Sequence, residues 1–144
     1  MITFKTESDR QELLKALDVN MNEEFRATLQ YIAHRILARG EHQVLAEAFK
    51  SAALDEMSHI LFFSDLITKY GGTPHLLEWD IDKSTAINEM LQQDIVLEKA
   101  ARERYAAQLE RFRDYPEFCS ILSSVLADEE DHEDEFSRHL LAHP

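Results

Sequence analysis

Helix-breaking residues are scarce in this 144-residue chain, and their scarcity decides what it can fold into. Its three Gly and three Pro gather at four places: Gly40, then Gly71, Gly72 and Pro74, then Pro116, then Pro144. Long intervals without a breaker favour long helices. Four are predicted. The first runs from about Ser8 to Arg39, with Ser8 and Gln11 spaced as a capping box and Gly40 as its stop. The second runs from about Gln43 to Tyr70 and ends at the glycine pair. The third runs from about Ser84 to Asp114, and the fourth from about Glu117 to Leu141 with Pro116 at its start. No strand pattern or low-complexity linker competes, so residues 1–144 read as one all-α domain.

Each predicted helix carries a stripe at three-and-four spacing. The first picks out Leu13, Leu17, Glu24, Ala27, Tyr31 and His34. The second picks out Leu45, Phe49, Ala52, Glu56, His59, Phe63, Leu66 and Tyr70. The third gives Ile87, Asp94, Glu98, Ala101, Tyr105 and Phe112, and the fourth Leu122, Val125, Glu129, His132, Phe136 and Leu140. Every stripe is apolar at its ends and broken near its middle by acid or imidazole. Short connections make hairpins of the first and second helices and of the third and fourth. Between the second and third lie about a dozen residues, which reach about 40 Å when extended. A taut crossover between parallel helices and a slack turn between antiparallel ones both fit that length.

The charge balance excludes some partners. With 28 acidic against 15 basic residues the net charge is −13, a surface that phosphates would repel, so nucleic acid is not expected. Nor is a membrane, since no apolar run approaches the ~20 residues a span needs. The single cysteine, Cys119, and a first segment without a secretory apolar stretch suit the reducing cytoplasm. Cations are the natural partners.

Two Glu-x-x-His motifs, Glu56-Met-Ser-His59 and Glu129-Glu-Asp-His132, each direct two donors to one point. Among 17 glutamates and seven histidines such a motif is weak alone. Its setting strengthens it. Glu24 precedes Glu56 by 32 residues and Glu98 precedes Glu129 by 31, while Tyr31 and Tyr105 each follow their glutamate by seven. Two copies of one hairpin, packed about a pseudo-twofold, bring four Glu and two His to a bundle centre. Four ionised carboxylates in a low-dielectric core repel strongly, and no Lys or Arg falls on the stripes at that level. Two divalent cations would balance the charge. Oxygen-rich ligation with one imidazole per metal suits iron or manganese better than a closed zinc site.

The stretch Asn22-Glu-Glu-Phe-Arg-Ala-Thr-Leu-Gln-Tyr31-Ile-Ala-His34 resembles the first helix of bacterioferritins. Glu56-Met57-Ser-His59, Gly71-Gly-Thr-Pro74, Asp94-Ile-Val-Leu-Glu98 and Asp128-Glu129-Glu-Asp-His132 continue the likeness in order over roughly residues 18–135. The resemblance implies a ferritin-like antiparallel four-helix bundle with a long crossover between the second and third helices. It also implies a ferroxidase that oxidises Fe(II) with O₂ or peroxide for iron storage or detoxification. Glu24 and His59 would ligate one iron, Glu98 and His132 the other, with Glu56 and Glu129 bridging. Tyr31 is then placed to hydrogen-bond a ligand or supply an electron, or simply to pack. For Tyr105 packing is expected.

Other readings stay open. The same centre would serve a di-iron or di-manganese oxidase or peroxidase that forms no cage. A haem-binding, stress-protective subunit is a third reading. Bacterioferritins bind haem between two subunits through a methionine that Met57 matches, while an apolar contact between subunits explains Met57 equally. Only twelve residues follow His132, too few for the fifth helix of full-length bacterioferritins, so a dimer or a twelve-subunit cage is expected beside the 24-subunit shell. His34 is expected to be packed or at the surface, and His139 is considered for iron near the bundle end. His42, His75 and His143 carry no signal, and the non-ligand acids of residues 128–135 are expected to form a solvated face.

Overall fold

The computed structural model describes residues 3–38, 40 and 42–143. Among them are four helices and no strand: α1 (Glu7–Leu37), α2 (Gln43–Lys69), α3 (Ile87–Arg111) and α4 (Pro116–Ala142). Helix α1 begins one residue before the expected Ser8, because the cap is Thr6. Its hydroxyl accepts the Asp9 N–H at 3.0 Å, and Gln11 reaches back to Glu7 rather than to a cap. The expected end at Arg39 lies outside the described residues, and Gly40 follows with φ +94°.

Helix α2 stops where the glycine pair allows it. Gly71 takes φ +83°, a conformation costly to any residue with a Cβ. Its N–H donates to Thr68 O at 3.1 Å while that of Gly72 donates to Ile67 O at 2.8 Å, a Schellman closure. Arg10 Nη1 caps the Tyr70 carbonyl at 2.9 Å. Helix α3 starts three residues later than expected. Ser84 donates its N–H to the Asp82 carboxylate and accepts that of Ala86 at its hydroxyl, which keeps the chain in a turn up to Ala86. It also ends earlier, at Arg111, where the capping residue Phe112 donates its N–H to Gln108 O at 2.9 Å.

Helix α1 packs against α2 and α3, and α4 against the same two, which leaves α2 and α3 diagonal to each other. Residues 70–86 join those diagonal helices by climbing alongside α1. The Asn22 amide donates to His75 O at 2.9 Å and accepts the Leu77 N–H at 2.7 Å. Eight residues further along α1, Gln30 donates to Asp82 O at 2.9 Å and accepts the Asp82 N–H at 2.8 Å. The linker therefore advances in the direction of α1, so α2 and α3 run parallel across the long crossover. The slack antiparallel alternative is excluded.

Side chains from the four helices, on the stripes and beside them, form two apolar clusters. One gathers Leu13, Leu17, Phe63, Leu66, Phe118 and Leu122 around Tyr105. The other gathers Leu45, Phe49, Ala52, Met90, Leu91 and Phe136 around Tyr31. Between them lies a layer of buried acid and imidazole. Close packing on both sides holds that layer rigidly. No described helix is long and apolar enough to cross a membrane.

Candidate metal centre

Each helix brings to the polar layer the donors its phase dictates: Glu24 from α1, Glu56 and His59 from α2, Glu98 from α3, Glu129 and His132 from α4. All six are at most 5 % exposed. They form two adjoining groups, Glu24–Glu56–His59–Glu129 and Glu56–Glu98–Glu129–His132, each offering donor atoms within 4.8 Å of one another. Glu56 and Glu129 belong to both. Every one of the six keeps one buried inward atom without a hydrogen-bond partner: Glu24 Oε2, Glu56 Oε1, His59 Nδ1, Glu98 Oε2, Glu129 Oε1 and His132 Nδ1. Unsatisfied polar atoms in a core are rare and costly. Six aimed at one place fit a pair of cations.

The opposite edge of four of the six donors is tied down. His59 donates from Nε2 to Asp128 at 2.8 Å and His132 from Nε2 to Asp55 at 2.8 Å. An Nε2–H so anchored turns Nδ1 inward, the usual way a protein orients an imidazole ligand. The Tyr31 hydroxyl donates to Glu98 Oε1, and that of Tyr105 to Glu24 Oε1. Both hydroxyls are held protonated by burial and by the surrounding acids.

These ties cross between the halves of the chain. Asp55 on α2 serves the histidine of α4 and Asp128 on α4 that of α2; Tyr31 on α1 serves the glutamate of α3 and Tyr105 on α3 that of α1. Tyr105 packs in the core as expected and has a further role: it stands to Glu24 as Tyr31 stands to Glu98. The acids at 128–135 are not all a solvated face, since Asp128 is spent on His59. Asp55 was not anticipated as a partner. The doubled Asp-Glu-x-x-His, at Asp55 and at Asp128, was the available signal.

The electrostatics of the layer favour bound positive charge, whether protons or cations. Burial first, then repulsion among the glutamates, holds the Glu56 and Glu98 carboxyls well above their ordinary range. Burial alone would lower His59, yet Glu129 and Glu24 push it up to about 11. Its Nδ1 sits 3.2 Å from Glu129, 3.5 Å from Glu24 and 3.5 Å from Glu56. A narrow cleft between α1 and α3, lined by Glu23, Leu97, Ala101 and Arg104, leads to the centre.

The remaining sequence candidates lie elsewhere. Met57 points away from the centre and is 46 % exposed, over an apolar depression formed with Ile32, Ala53 and Leu54. His34 is fully buried against Asp94. Among the described residues the acid beside His139 is Glu135, at 3.9 Å.

The comparisons with known proteins agree with this architecture. A Bacillus anthracis protein described as ferritin-like and diiron-carboxylate superposes with a TM-score of 0.86 at 28% identity, over 94% of this chain and 99% of that one. The bacterioferritin of Desulfovibrio desulfuricans, whose diiron site is described in several catalytic states, gives 0.86 at 22% identity, over 96% and 83%. A dodecameric thioferritin, the bacterioferritin-related protein of Bacteroides fragilis, gives 0.83 at 23% identity, over 92% and 86%. No curated protein matches the sequence significantly. The profile of the ferritin-like domain matches residues 14–142, and with it the chain belongs to the ferritin-like family.

Proposed function

We propose that this protein is a ferroxidase, oxidising Fe(II) at a di-iron centre inside each chain. The observation that carries the reading is the set of six orphaned inward donors, one on each ligand residue. Glu24 and His59 hold one cation, Glu98 and His132 the other, and Glu56 and Glu129 lie between both. Two ferrous ions bound there supply two electrons to O₂ or hydrogen peroxide. The chain's own part is positional and protonic. Asp55 and Asp128 keep the imidazole lone pairs inward, Tyr31 and Tyr105 orient the terminal glutamates, and Glu56 and Glu98 give up their protons as cations enter. The two apolar clusters exclude water above and below.

The test is oxygen uptake. About two Fe(II) per chain added to metal-free protein should cause rapid O₂ consumption that Glu56→Ala abolishes. Iron that binds yet stays ferrous in air would overturn the assignment.

The exposed side of α1 and α2 supports a second reading, of assembly. Ile32, Leu54, Met57 and Leu61 are each 44 to 57 % exposed, a face suited to a second copy of the chain. Arg35 and Lys50 border the depression at Met57, so its apolar floor and two cationic heads match a haem with its two propionates. A Soret band lost in Met57→Ala supports haem there. A colourless dimer, formed with haem supplied, leaves the face as a protein contact alone.

A further inference from the structure

Beyond the six donors, one buried polar chain has no part in holding the cations. His34 and Asp94 have no exposed surface, and Gln30 is 7 % exposed. The direction of every hydrogen bond among them is determined by the crossover. Gln30 Oε1 accepts the Asp82 N–H and Gln30 Nε2 donates to Asp82 O, which identifies the nitrogen end of the amide. That nitrogen also lies 2.9 Å from His34 Nε2. An amide N–H can meet only a lone pair there, so the ring proton sits on Nδ1. His34 Nδ1 then donates to Asp94 Oδ2 at 2.7 Å.

A neutral imidazole does not cancel a carboxylate. The Asp82 carboxylate is 3.9 Å from His34 Nε2, but the Gln30 N–H already fills that lone pair. The groups facing Asp94 are therefore His34 and Tyr31 from α1, Asp82 from the crossover and Glu98 one turn on along α3. From α2 the Phe49 ring lies 5.5 Å from that of His34. None is a cation. Asp94 Oδ1 has no hydrogen-bond partner among the described residues. Burial pushes the Asp94 pKa up, while the Nδ1–H that His34 donates to Oδ2 at 2.7 Å favours the ionised carboxylate. A buried negative charge without a counter-charge is destabilising unless a positive charge comes close. The nearest place built for one is the metal centre, one helical turn away, and the field of Asp94 already reaches Tyr31 there.

We propose that Asp94 is a fifth carboxylate of the metal centre, one that ligates nothing but draws divalent cations into the six-residue site, and that Gln30 and His34 are positioning residues that keep its charge unneutralised. This rests on the six residues being the metal ligands. It also makes seating of the crossover at Asp82 a condition for full cation affinity.

The experiment is an anaerobic Co(II) titration of the whole protein, followed by calorimetry, with Asp94→Asn, Gln30→Met and Glu56→Ala compared to the unaltered chain. Asp94→Asn should weaken Co(II) binding roughly tenfold near neutral pH, and the difference should shrink as the pH falls and Asp94 takes up a proton. Gln30→Met frees His34 Nε2 to take a proton. Its Co(II) affinity should fall by a similar factor, although Gln30 touches neither Asp94 nor any ligand. Nitrogen NMR of His34 needs no substitution and should show the Nδ1–H tautomer in the unaltered chain. An Nε2–H tautomer, or Asp94→Asn binding Co(II) as tightly as the unaltered chain, overturns the proposal. If Glu56→Ala also leaves Co(II) binding intact, the metal centre itself is misassigned.

Discussion

Asp55 stands next to Glu56 on α2, yet its carboxylate accepts the Nε2–H of His132 on α4, at 2.8 Å. Asp128, next to Glu129, does the same for His59. The halves of the bundle thus hold each other's imidazoles. Both aspartates are about half exposed, so asparagine fits in their place without disturbing the core. Asp55→Asn and Asp128→Asn should each weaken divalent-metal affinity about 10- to 100-fold while leaving the melting temperature of the metal-free protein nearly unchanged. Calorimetric metal titration beside a thermal melt separates the two effects.

The protonated core makes stability depend on pH in a definite direction. Glu56, Glu98 and His59 all bind protons more tightly folded than unfolded. The stabilisation this gives is fully present below their unfolded values and is lost as pH rises through the folded ones. Glu129, held down to about 2 against its burial by His59, Glu98 and Glu56, acts in the opposite sense only below the ordinary carboxylate range. Chelator-treated protein should therefore melt at progressively lower temperature from about pH 5 to 9. Saturating Mn(II) should flatten that slope, because cations replace the protons. A metal-free melting temperature that climbs over this interval contradicts a proton-loaded centre.

Tyr31 and Tyr105 occupy equivalent places, so their loss should cost alike. Phenylalanine at either position keeps the packing and removes a hydroxyl that donates to a buried carboxyl oxygen. Tyr31→Phe and Tyr105→Phe should each destabilise the metal-free protein by about 1–3 kcal/mol, read from denaturant unfolding. A negligible cost at Tyr105 alone would leave it only the packing role expected from sequence.

The turn after α2 offers a test of the crossover's first step. Gly71→Ala places a Cβ on a backbone with φ +83°, a strain of about 1–2 kcal/mol. Gly72→Ala brings a Cβ within 2.8 Å of Leu14 Cδ2 and 3.1 Å of Ile67 Cγ2, an overpacking cost of about 1–3 kcal/mol. Both should lower the denaturant midpoint without changing helix content by circular dichroism.

The stripes were legible because helical phase is a local property. Every stripe residue from Leu13 to His34 on α1 and from Leu45 to Tyr70 on α2 is buried, since a 3.6-residue period fixes which side faces in. Only Ile87 and Leu140, at stripe ends on α3 and α4, are partly exposed. Caps were less legible. Thr6 and Ser8 are both good N-caps by residue type, and only the observed bond from Asp9 N to Thr6 decides between them.

What the sequence determined alone was four long helices and six donors sharing their inward faces, because breakers and periodicity act over a few residues. Tertiary structure alone decided who stands behind each donor: Asp55 behind His132, Tyr105 behind Glu24, the Asp82 main chain behind Gln30 and so behind His34. It also decided that residues 70–86 climb along α1 rather than turn back. Those partners lie about 50 to 80 residues apart in sequence, and no short-range rule sets the register of one helix against another. Packing sets it, once the apolar clusters close on both sides of the centre.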